Sequence, residues 1–191
     1  MAREEMSERT RQAILDAAAQ VLSAKPEASM AEIATGAHVG RATLYRHFPT
    51  RESLVHGVQD AGVIELLEAL EAAGLEQLPA DRAIARITAV FLRTGAKYAA
   101  VVGRGGERTE HPPHDRAIAP VHEVIARGIH DGELRNDLPE LVLFAMFDAL
   151  ISRALILTVT GVVPPEQAAD SVVAVFLNGA SAQAHTPGHL S

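Results

Sequence analysis

The sequence predicts an all-α protein in which three short N-terminal helices precede a longer helical body. Three observations support this fold class. Apolar residues recur at steps of three and four through most of the 191 residues, which is the spacing of one helix face. No segment of strand length alternates apolar and polar residues. Glycine and proline are concentrated between the periodic segments, as at residues 103–115, where they favour turns.

The first helix is predicted from Ser7 to about Ala24. Its apolar stripe requires a packing partner, since one face of the helix is otherwise exposed to water. Pro26 removes a backbone donor and restricts the residue before it, so residues 25–28 are predicted to connect this helix to the next. The stripe consists of Ile14, Ala17, Ala18, Val21 and Leu22.

Two short helices joined by a tight turn are predicted over residues 29–48. Ser29 followed by Glu32 fits a capping box, in which the serine oxygen accepts a backbone N–H and the glutamate reaches back to the cap. The helix is therefore expected to begin at Met30. It is expected to end after about two turns, near Val39.

The next helix is predicted from about Arg41 to Phe48, with Leu44 and Phe48 four residues apart on its inward face. No residue from Ile33 to Arg51 is acidic, although the chain has a formal net charge of -7. Arginines and a tyrosine hydroxyl are the groups that phosphate binding needs. The outward face consists of Arg41, Ala42, Thr43, Tyr45, Arg46 and His47.

Helix, turn and basic second helix form the geometry that enters the major groove of DNA. On charge alone, a surface hairpin with solvated arginines is the better interpretation. Charge distribution favours DNA: residues 1–55 carry seven basic and seven acidic side chains, so the net charge of -7 lies on the remainder. An acidic body would be repelled by DNA, which leaves the N-terminal part to face it.

The segment AEIATGAHVGRATLYRHFPTRESLV resembles the DNA-binding segment of the tetracycline-repressor (TetR) family of transcriptional regulators. The resemblance is specific in Ile33-Ala34, in Val39, in the run from Thr43 to Phe48, and in Pro49-Thr50-Arg51-Glu52. It extends backward over residues 14–18 and is only architectural after Glu52. It implies a three-helix DNA-binding head over residues 1–50 and a ligand-binding and dimerisation body over residues 51–191, with Leu22, Ile33 and Leu44 in the core of the head.

The resemblance also implies roles for single residues at the DNA. Arg41 is expected to contact a base edge, Ala42 and Thr43 to approach the groove, and Tyr45, His47 and Arg51 to hold phosphates. Ser29 is included in the DNA-binding set. Two positions depart from the family pattern: His38 stands where the turn often has glycine, and Gly40 where a serine usually caps the helix. Histidine tolerates a left-handed turn better than most residues, and glycine is a usable cap.

Five helices are predicted in the body. The first runs from Arg51 to about Ala73 with Thr50 as its N-cap, and the second carries a stripe from Ile84 to Val101. A loop is predicted over residues 103–115, a helix from Arg116 to about His130 with an irregularity at Pro120, and helices over residues 140–160 and 165–180. Asp137 is the expected N-cap of the helix at 140–160.

The helix over residues 140–160 is apolar on nearly every face, so it must be covered all round. A membrane span is rejected, because Asp148 and Arg153 would each cost about 2.5 to 3.5 kcal/mol near a bilayer centre. A second copy of the chain is expected to cover this helix and the one after it in a four-helix bundle. Arg153 is expected either to pair with Asp148 of the other copy or to point into a ligand pocket.

A pocket for a small apolar or aromatic effector is predicted among the body helices. Polar groups on an apolar stripe must be satisfied in a sealed core, whereas a cavity would offer them to a guest. For any one of these residues, an ordinary core position is the alternative. The predicted pocket residues are Phe91, Thr94, Tyr98, Met146, Phe147 and Leu150.

Other kinds of chemistry are weakly supported. The absence of cysteine excludes thiolate catalysis, and the N-terminus lacks the apolar core of a signal peptide, so a cytoplasmic protein is expected. His111, His114 and His122 lack the spacing of a metal site, and neither a cofactor motif nor a catalytic motif is present. We therefore predict a homodimeric transcriptional repressor that binds double-stranded DNA and responds to an effector. The alternatives are a helical small-molecule-binding protein without specific DNA binding and a helical enzyme.

Overall fold

The structure is a computed structural model that describes residues 2–102 and 112–180, apart from the side chains of residues 2, 3, 96, 99–102 and 112–117. These residues form α-helices and one short 3-10 turn, with no strand among the elements described. The predicted all-α fold class is confirmed. The helices are α1 (Ala2–Ala24), α2 (Met30–Gly36), α3 (Arg41–His47), α4 (Arg51–Glu71), α5 (Ala80–Val102), α6 (Pro112–His130), α7 (Glu140–Val159) and α8 (Pro165–Ala180), with the 3-10 turn at Leu75–Gln77.

Two predicted helix starts are too late. α1 begins at Ala2 instead of Ser7, because residues 2–6 have no apolar stripe to reveal a helix, while acidic side chains in the first turn suit the helix dipole. α6 begins at Pro112 instead of Arg116, since proline is compatible with the first helical position. The helix also continues through Pro120. Residues 103–111 of the predicted loop, which include His111, lie outside the described residues.

The predicted cap of α7 is also wrong. Pro139 occupies the N-cap position and offers no side-chain hydrogen bond. Asp137 accepts instead from Arg135, with Nε–Oδ1 at 2.7 Å and Nη2–Oδ2 at 2.6 Å. The planar guanidinium of Arg135, two residues away, donates to both carboxylate oxygens of Asp137, so this side chain does not cap α7.

The N-terminal helices share one hydrophobic cluster. Leu22, Ile33 and Leu44 are all at most 2% exposed within it, as predicted. The cluster continues beyond residue 50 through Leu54 and Val58 of α4. The division of the chain at residue 50 therefore stays a prediction.

The body has a second hydrophobic cluster, to which α4, α5, α6, α7 and α8 all contribute. α5 is its central element, since α5 packs against α4, α6, α7 and α8 and also against α1. Thr88, fully buried on α5, donates its hydroxyl to the Ile84 carbonyl at 2.8 Å. The core of the body thus satisfies this polar group within its own helix.

One helix of the described chain, α7, is long and apolar enough to cross a membrane, with a mean hydropathy of 2.0. Only 22% of that apolar window is buried in the single chain. The buried residues follow one face, namely Leu143, Phe147, Ile151 and Ala154. On the outer face, Leu141, Met146 and Ile156 remain more than half exposed in the single chain.

Candidate functional site

A tight turn fixes the angle between α2 and α3. His38 adopts a left-handed conformation with φ of 54°, the only non-glycine residue of the described chain with a positive φ. Val39 N–H donates to the Ala34 carbonyl at 3.0 Å and closes the turn. The sequence expectation that histidine would hold this conformation is confirmed. Helix, turn and helix follow one another within Met30–His47.

The N-terminus of α2 is held by the predicted capping box. The Ser29 hydroxyl accepts from the Glu32 backbone N–H at 3.3 Å, and the Glu32 carboxylate accepts from the Ser29 N–H at 2.8 Å. Lys25 Nζ donates to the same carboxylate at 2.5 Å. The hydrogen bond from Lys25, with those from Ser29, lowers the pKa of Glu32 to about 2. The acidic side chain of α2 is thereby neutralised by a cation from the preceding connector.

α3 has one buried edge and one exposed face. Leu44 is fully buried and Phe48, just after the helix, is 3% exposed. The Phe48 ring packs against Gly57 of α4, where a Cβ would come within 2.9 Å of Cε1 of that ring. This contact anchors α3 to the body, so its opposite face is presented to solvent in a fixed orientation.

Most of the predicted DNA-binding residues are exposed to solvent. Tyr45 is 48% exposed although it is aromatic. Within the described residues no acidic side chain occurs between Ile33 and Arg51. The structure leaves Ser29, Arg41, Ala42, Tyr45 and Arg51 exposed and Thr43 and His47 half-buried.

Arg51 has a structural contact that sequence reasoning missed. Its Nη2 donates to the Pro26 carbonyl at 2.6 Å and so ties the start of α4 to the connector before α2. The predicted phosphate contact must use the remaining donors of the guanidinium. Arg11 of α1 lies over the Phe48 ring at 5.3 Å from its centroid and 3.6 Å from a Glu8 oxygen. Both arginines therefore stabilise the arrangement of the N-terminal helices.

The geometry described above is that of a helix-turn-helix whose second helix offers a basic, hydroxylic surface free of carboxylates. Such a surface has the groups needed to contact phosphates and base edges. The model of the family described as bacterial regulatory proteins, tetR family, matches residues 14–58.

Residues 14–58 of this chain are therefore similar to the DNA-binding part of TetR-family regulators. A curated relative, the HTH-type transcriptional repressor LfrR of Mycolicibacterium smegmatis, is 39% identical over 95 residues, which cover 46% of this chain and 47% of the relative. The chain thus spans about half the length of the curated relative it matches.

Solved TetR-like structures resemble the whole described fold. The regulator LfrR from Mycobacterium smegmatis in complex with proflavine superposes with a TM-score of 0.73 at 27% identity, over 90% of this chain and 96% of that one. The TetR regulator SCO0520 from Streptomyces coelicolor gives a TM-score of 0.63 at 26% identity, over 91% and 99% of the two chains. The likeness therefore extends from the helix-turn-helix through the body.

The structure corrects the grouping of the predicted effector residues. Tyr98 packs with the cluster of the N-terminal helices and not with the body core. Met146 is 58% exposed on the outer face of α7, because it is one residue, about 100° of helix, away from the buried Phe147. Phe147 packs edge-on to Phe176 with ring centroids 5.0 Å apart, an ordinary core contact.

The other three predicted effector residues are buried or half-buried on α5 and α7. Thr94 is 5% exposed, while Phe91 and Leu150 pack partly buried against the core cluster. The described chain does have a surface groove of about 630 Å³, but it lies on the outer face of α7 between Leu141 and Ser152. The six residues do not share one cavity, and their role as effector contacts stays a prediction.

The histidine prediction is tested only in part. Within the described side chains no group of His, Asp and Glu is arranged to hold a metal ion. His122 stacks on Phe144 with ring centroids 3.8 Å apart, and its Nδ1 lies 3.2 Å from a Glu140 oxygen. His111 and the side chain of His114 lie outside the described residues. His122 thus links α6 to the start of α7.

Proposed function

We propose that this protein is a homodimeric DNA-binding transcriptional repressor whose operator affinity is lowered by a small effector. One observation carries the proposal: α3 is anchored through Leu44 and Phe48 so that its exposed face holds Arg41, Tyr45 and Arg46 and no carboxylate. A polyanion with grooves is the natural partner of such a face. The repressor LfrR supports the direction of regulation.

The DNA-binding proposal is tested by recovering genomic fragments that the purified protein retains and measuring affinities for the enriched sequence. Arg41→Ala is expected to cost about 1 to 3 kcal/mol of binding and to relax specificity at one base pair. Arg82→Ala is the control, because it removes an exposed arginine at the start of α5, in the body. A protein that enriches no sequence, or an Arg41→Ala variant that binds every DNA as the parent does, would overturn the assignment.

Dimerisation is proposed through the outer faces of α7 and α8. These faces expose large apolar side chains, including Leu141 at 69%, Ile156 at 51% and Val175 at 60%. Solvent-exposed patches of this kind mark interaction surfaces. A two-fold partner would cover them and would hold two copies of α3 about 34 to 36 Å apart, or a multiple, as a two-fold-related operator requires. Arg153, which is exposed in the single chain, then lies at this interface, and pairing with Asp148 of the other copy is part of the proposal.

An apolar or aromatic effector is proposed to bind in the body near Phe91 and Thr94. The complex of the relative LfrR with proflavine supports a planar aromatic ligand. The test is a thermal-shift titration with proflavine, followed by operator titration at a saturating concentration. A stabilising compound that weakens operator binding by about 5- to 150-fold would show coupling of the usual size. Stabilising compounds that leave DNA affinity unchanged would exclude the switch and spare the DNA-binding proposal.

A regulator of this kind acts where the chromosome is, so we also propose a cytoplasmic protein without catalytic activity and without a membrane span. The charged residues Asp148 and Arg153 within α7 support this proposal, because each would be costly in a bilayer. Fractionation of cells that express the full chain should recover it with the soluble proteins and nucleoid. Recovery in the membrane fraction would contradict the proposal.

A further inference from the structure

One residue of the body helix α5 is inserted into the packing of the N-terminal helices. Tyr98 is 4% exposed and belongs to the same cluster as Ile14 and Leu44. Its ring lies against Gly62 of α4, where a Cβ would come within 2.7 Å of the ring carbon Cγ. The ring therefore packs directly against the backbone of α4 at Gly62.

The Tyr98 hydroxyl is fixed by a charged pair. It donates to Glu65 Oε2 at 2.7 Å, and Lys97 Nζ donates to the same oxygen at 2.6 Å. Burial raises the pKa of Glu65, but the hydrogen bonds from Lys97 and Tyr98 outweigh it and hold that pKa below its ordinary value. Although burial acts against it, the hydrogen bond to Glu65 raises the pKa of Lys97. Both groups are charged at neutral pH, so the pair joins α4 to α5 under ordinary conditions.

The same lysine also approaches the first helix. Lys97 Nζ lies 3.9 Å from Oδ1 of Asp16, and α1 supplies Ile14 and Leu15 to the N-terminal cluster. A single ammonium on the body thus stands between a carboxylate of α1 and a carboxylate of α4. We name Asp16, Gly62, Glu65, Lys97 and Tyr98 the junction cluster.

We infer that the junction cluster fixes the angle at which the N-terminal helices are held on the body, and thereby the spacing between half-sites that the dimer accepts. This inference rests on the proposed function. Lys97 and Tyr98 act as positioning residues, since they lie on α5 and not on the DNA-facing surface. They select among operators by geometry, whereas residues such as Arg41 select among bases.

The part of α4 between the junction cluster and α3 is long enough for a small rotation at the cluster to move α3 measurably. From Arg51, where α4 begins beside α3, to Glu65 is fourteen residues of helix, or about 21 Å. A rotation of about 10° at the junction would displace α3 by about 3 to 4 Å over that length, which is close to the rise of one base pair. A variant that loses the junction cluster should therefore tolerate operators with about one base pair more or fewer between the half-sites.

The test compares operators that differ only in the number of base pairs between half-sites, together with DNA that holds a single half-site. Lys97→Met removes the ammonium and keeps an apolar stem, and Tyr98→Phe removes the hydroxyl and keeps the ring against Gly62. The parent is expected to lose at least tenfold in affinity for each base pair added or removed. Either variant is expected to lose threefold or less in affinity for each base pair added or removed. Its affinity for a single half-site is expected to stay within twofold of the parent's.

Lys25→Met is the matched control, because Lys25 makes a comparable ion pair with Glu32 inside the N-terminal helices. It is expected to lower single half-site affinity or thermal stability and to keep the parent's dependence on spacing. A parent that binds no DNA specifically would refute the proposed function itself. A parent that discriminates spacing, with both Lys97→Met and Tyr98→Phe discriminating equally, would overturn the inference alone.

Discussion

α3 and α7 each bury one face, and they differ in what the opposite face offers. α3 has seven residues, of which only Leu44 is buried, and its exposed residues are basic, hydroxylic or small. α7 has 20 residues with one buried face, and its exposed residues include Leu141, Met146 and Ile156. The first surface suits a polyanion and the second suits another protein chain, although both helices look incompletely packed in the single chain.

The interactions that these two surfaces would make also differ in their dependence on salt. Full burial of a Leu, Ile or Met side chain is worth about 1.5 to 3 kcal/mol, and added salt does not screen this gain. A contact of Arg51 with a phosphate would release counterions and weaken steeply as salt rises. DNA binding and dimerisation should therefore separate in a salt titration, with the dimer persisting where DNA is released.

The largest expected effect comes from the buried side of α3. Leu44→Ala removes a fully buried side chain from the N-terminal cluster and should cost about 2 to 5 kcal/mol of unfolding free energy. Chemical denaturation followed by circular dichroism measures this loss. DNA binding should fall with it, while the dimer persists, because α7 and α8 pack in the other cluster. A variant with parental stability would contradict the assigned anchor.

The apolar face of α7 gives the next largest effect. Ile156→Glu should shift the equilibrium toward monomer by at least tenfold, about 1.4 kcal/mol, since a two-fold interface receives the charge twice. Ile64→Glu is the matched control, because Ile64 is 56% exposed on α4, close to the 51% of Ile156. Sedimentation at micromolar concentration measures the shift. Equal behaviour of the two variants would place the dimer interface elsewhere.

Local chemistry explains why the DNA-facing part could be predicted from the sequence. Ser29 and Glu32 are three residues apart, and the left-handed turn at His38 depends on its neighbours alone. The start of α1 escaped prediction because its first residues carry charge without periodicity. Asp137 was misassigned because Arg135, two residues before it, competes for the carboxylate.

Tertiary neighbours explain what could not be predicted. Tyr98 continues the apolar stripe of α5, so it was predicted to line the effector pocket of the body, but α1 and Gly62 lie against that end of the helix. Met146 and Phe147 are both apolar, and only packing shows which of them faces inward. Lys97 and Glu65 are 32 residues apart, and no local pattern indicates that they form a pair.

Arg51 links structure to DNA binding and should show a moderate effect on both. Arg51→Ala removes the donor to the Pro26 carbonyl, and it should cost about 0.5 to 1.5 kcal/mol of stability. It should also weaken all DNA sequences similarly and reduce the salt slope by about 1. Arg51→Lys keeps the charge without the planar fork, so it should retain the slope. An unchanged slope in Arg51→Ala would exclude the phosphate contact.

The cap of α2 should show a pH dependence. The pKa of Glu32 is lowered to about 2, first by the hydrogen bond from Lys25, so the ionised group stabilises the fold above its ordinary pKa of about 4.5. That contribution is lost as pH falls from there through 2. Glu32→Gln should have a lower melting temperature than the parent at pH 7, and the difference between the two melting temperatures should be smaller at pH 2.5. Glu76→Gln, at an exposed position of the 3-10 turn, controls for loss of a surface charge.

The smallest effect concerns the unusual cap of α3. Gly40 is the N-cap with φ of -68° and no side-chain hydrogen bond, and a Cβ built there meets no atom within 4 Å. Gly40→Ser should therefore add a cap without strain and stabilise the protein by a few tenths to about 1 kcal/mol.

Gly74 provides the contrast, since a Cβ there also meets no atom within 4 Å but φ is 59°. Gly74→Ser should destabilise by about 1 kcal/mol, because only the backbone conformation differs. Thermal denaturation measures both variants, with shifts of about 1 to 4 °C of opposite sign. If Gly40→Ser stabilises the protein and also tightens operator binding, the missing cap limits DNA affinity through the rigidity of α3. If it stabilises the protein and weakens operator binding, the backbone at Gly40 approaches DNA too closely for a side chain, which would explain why the position lacks one.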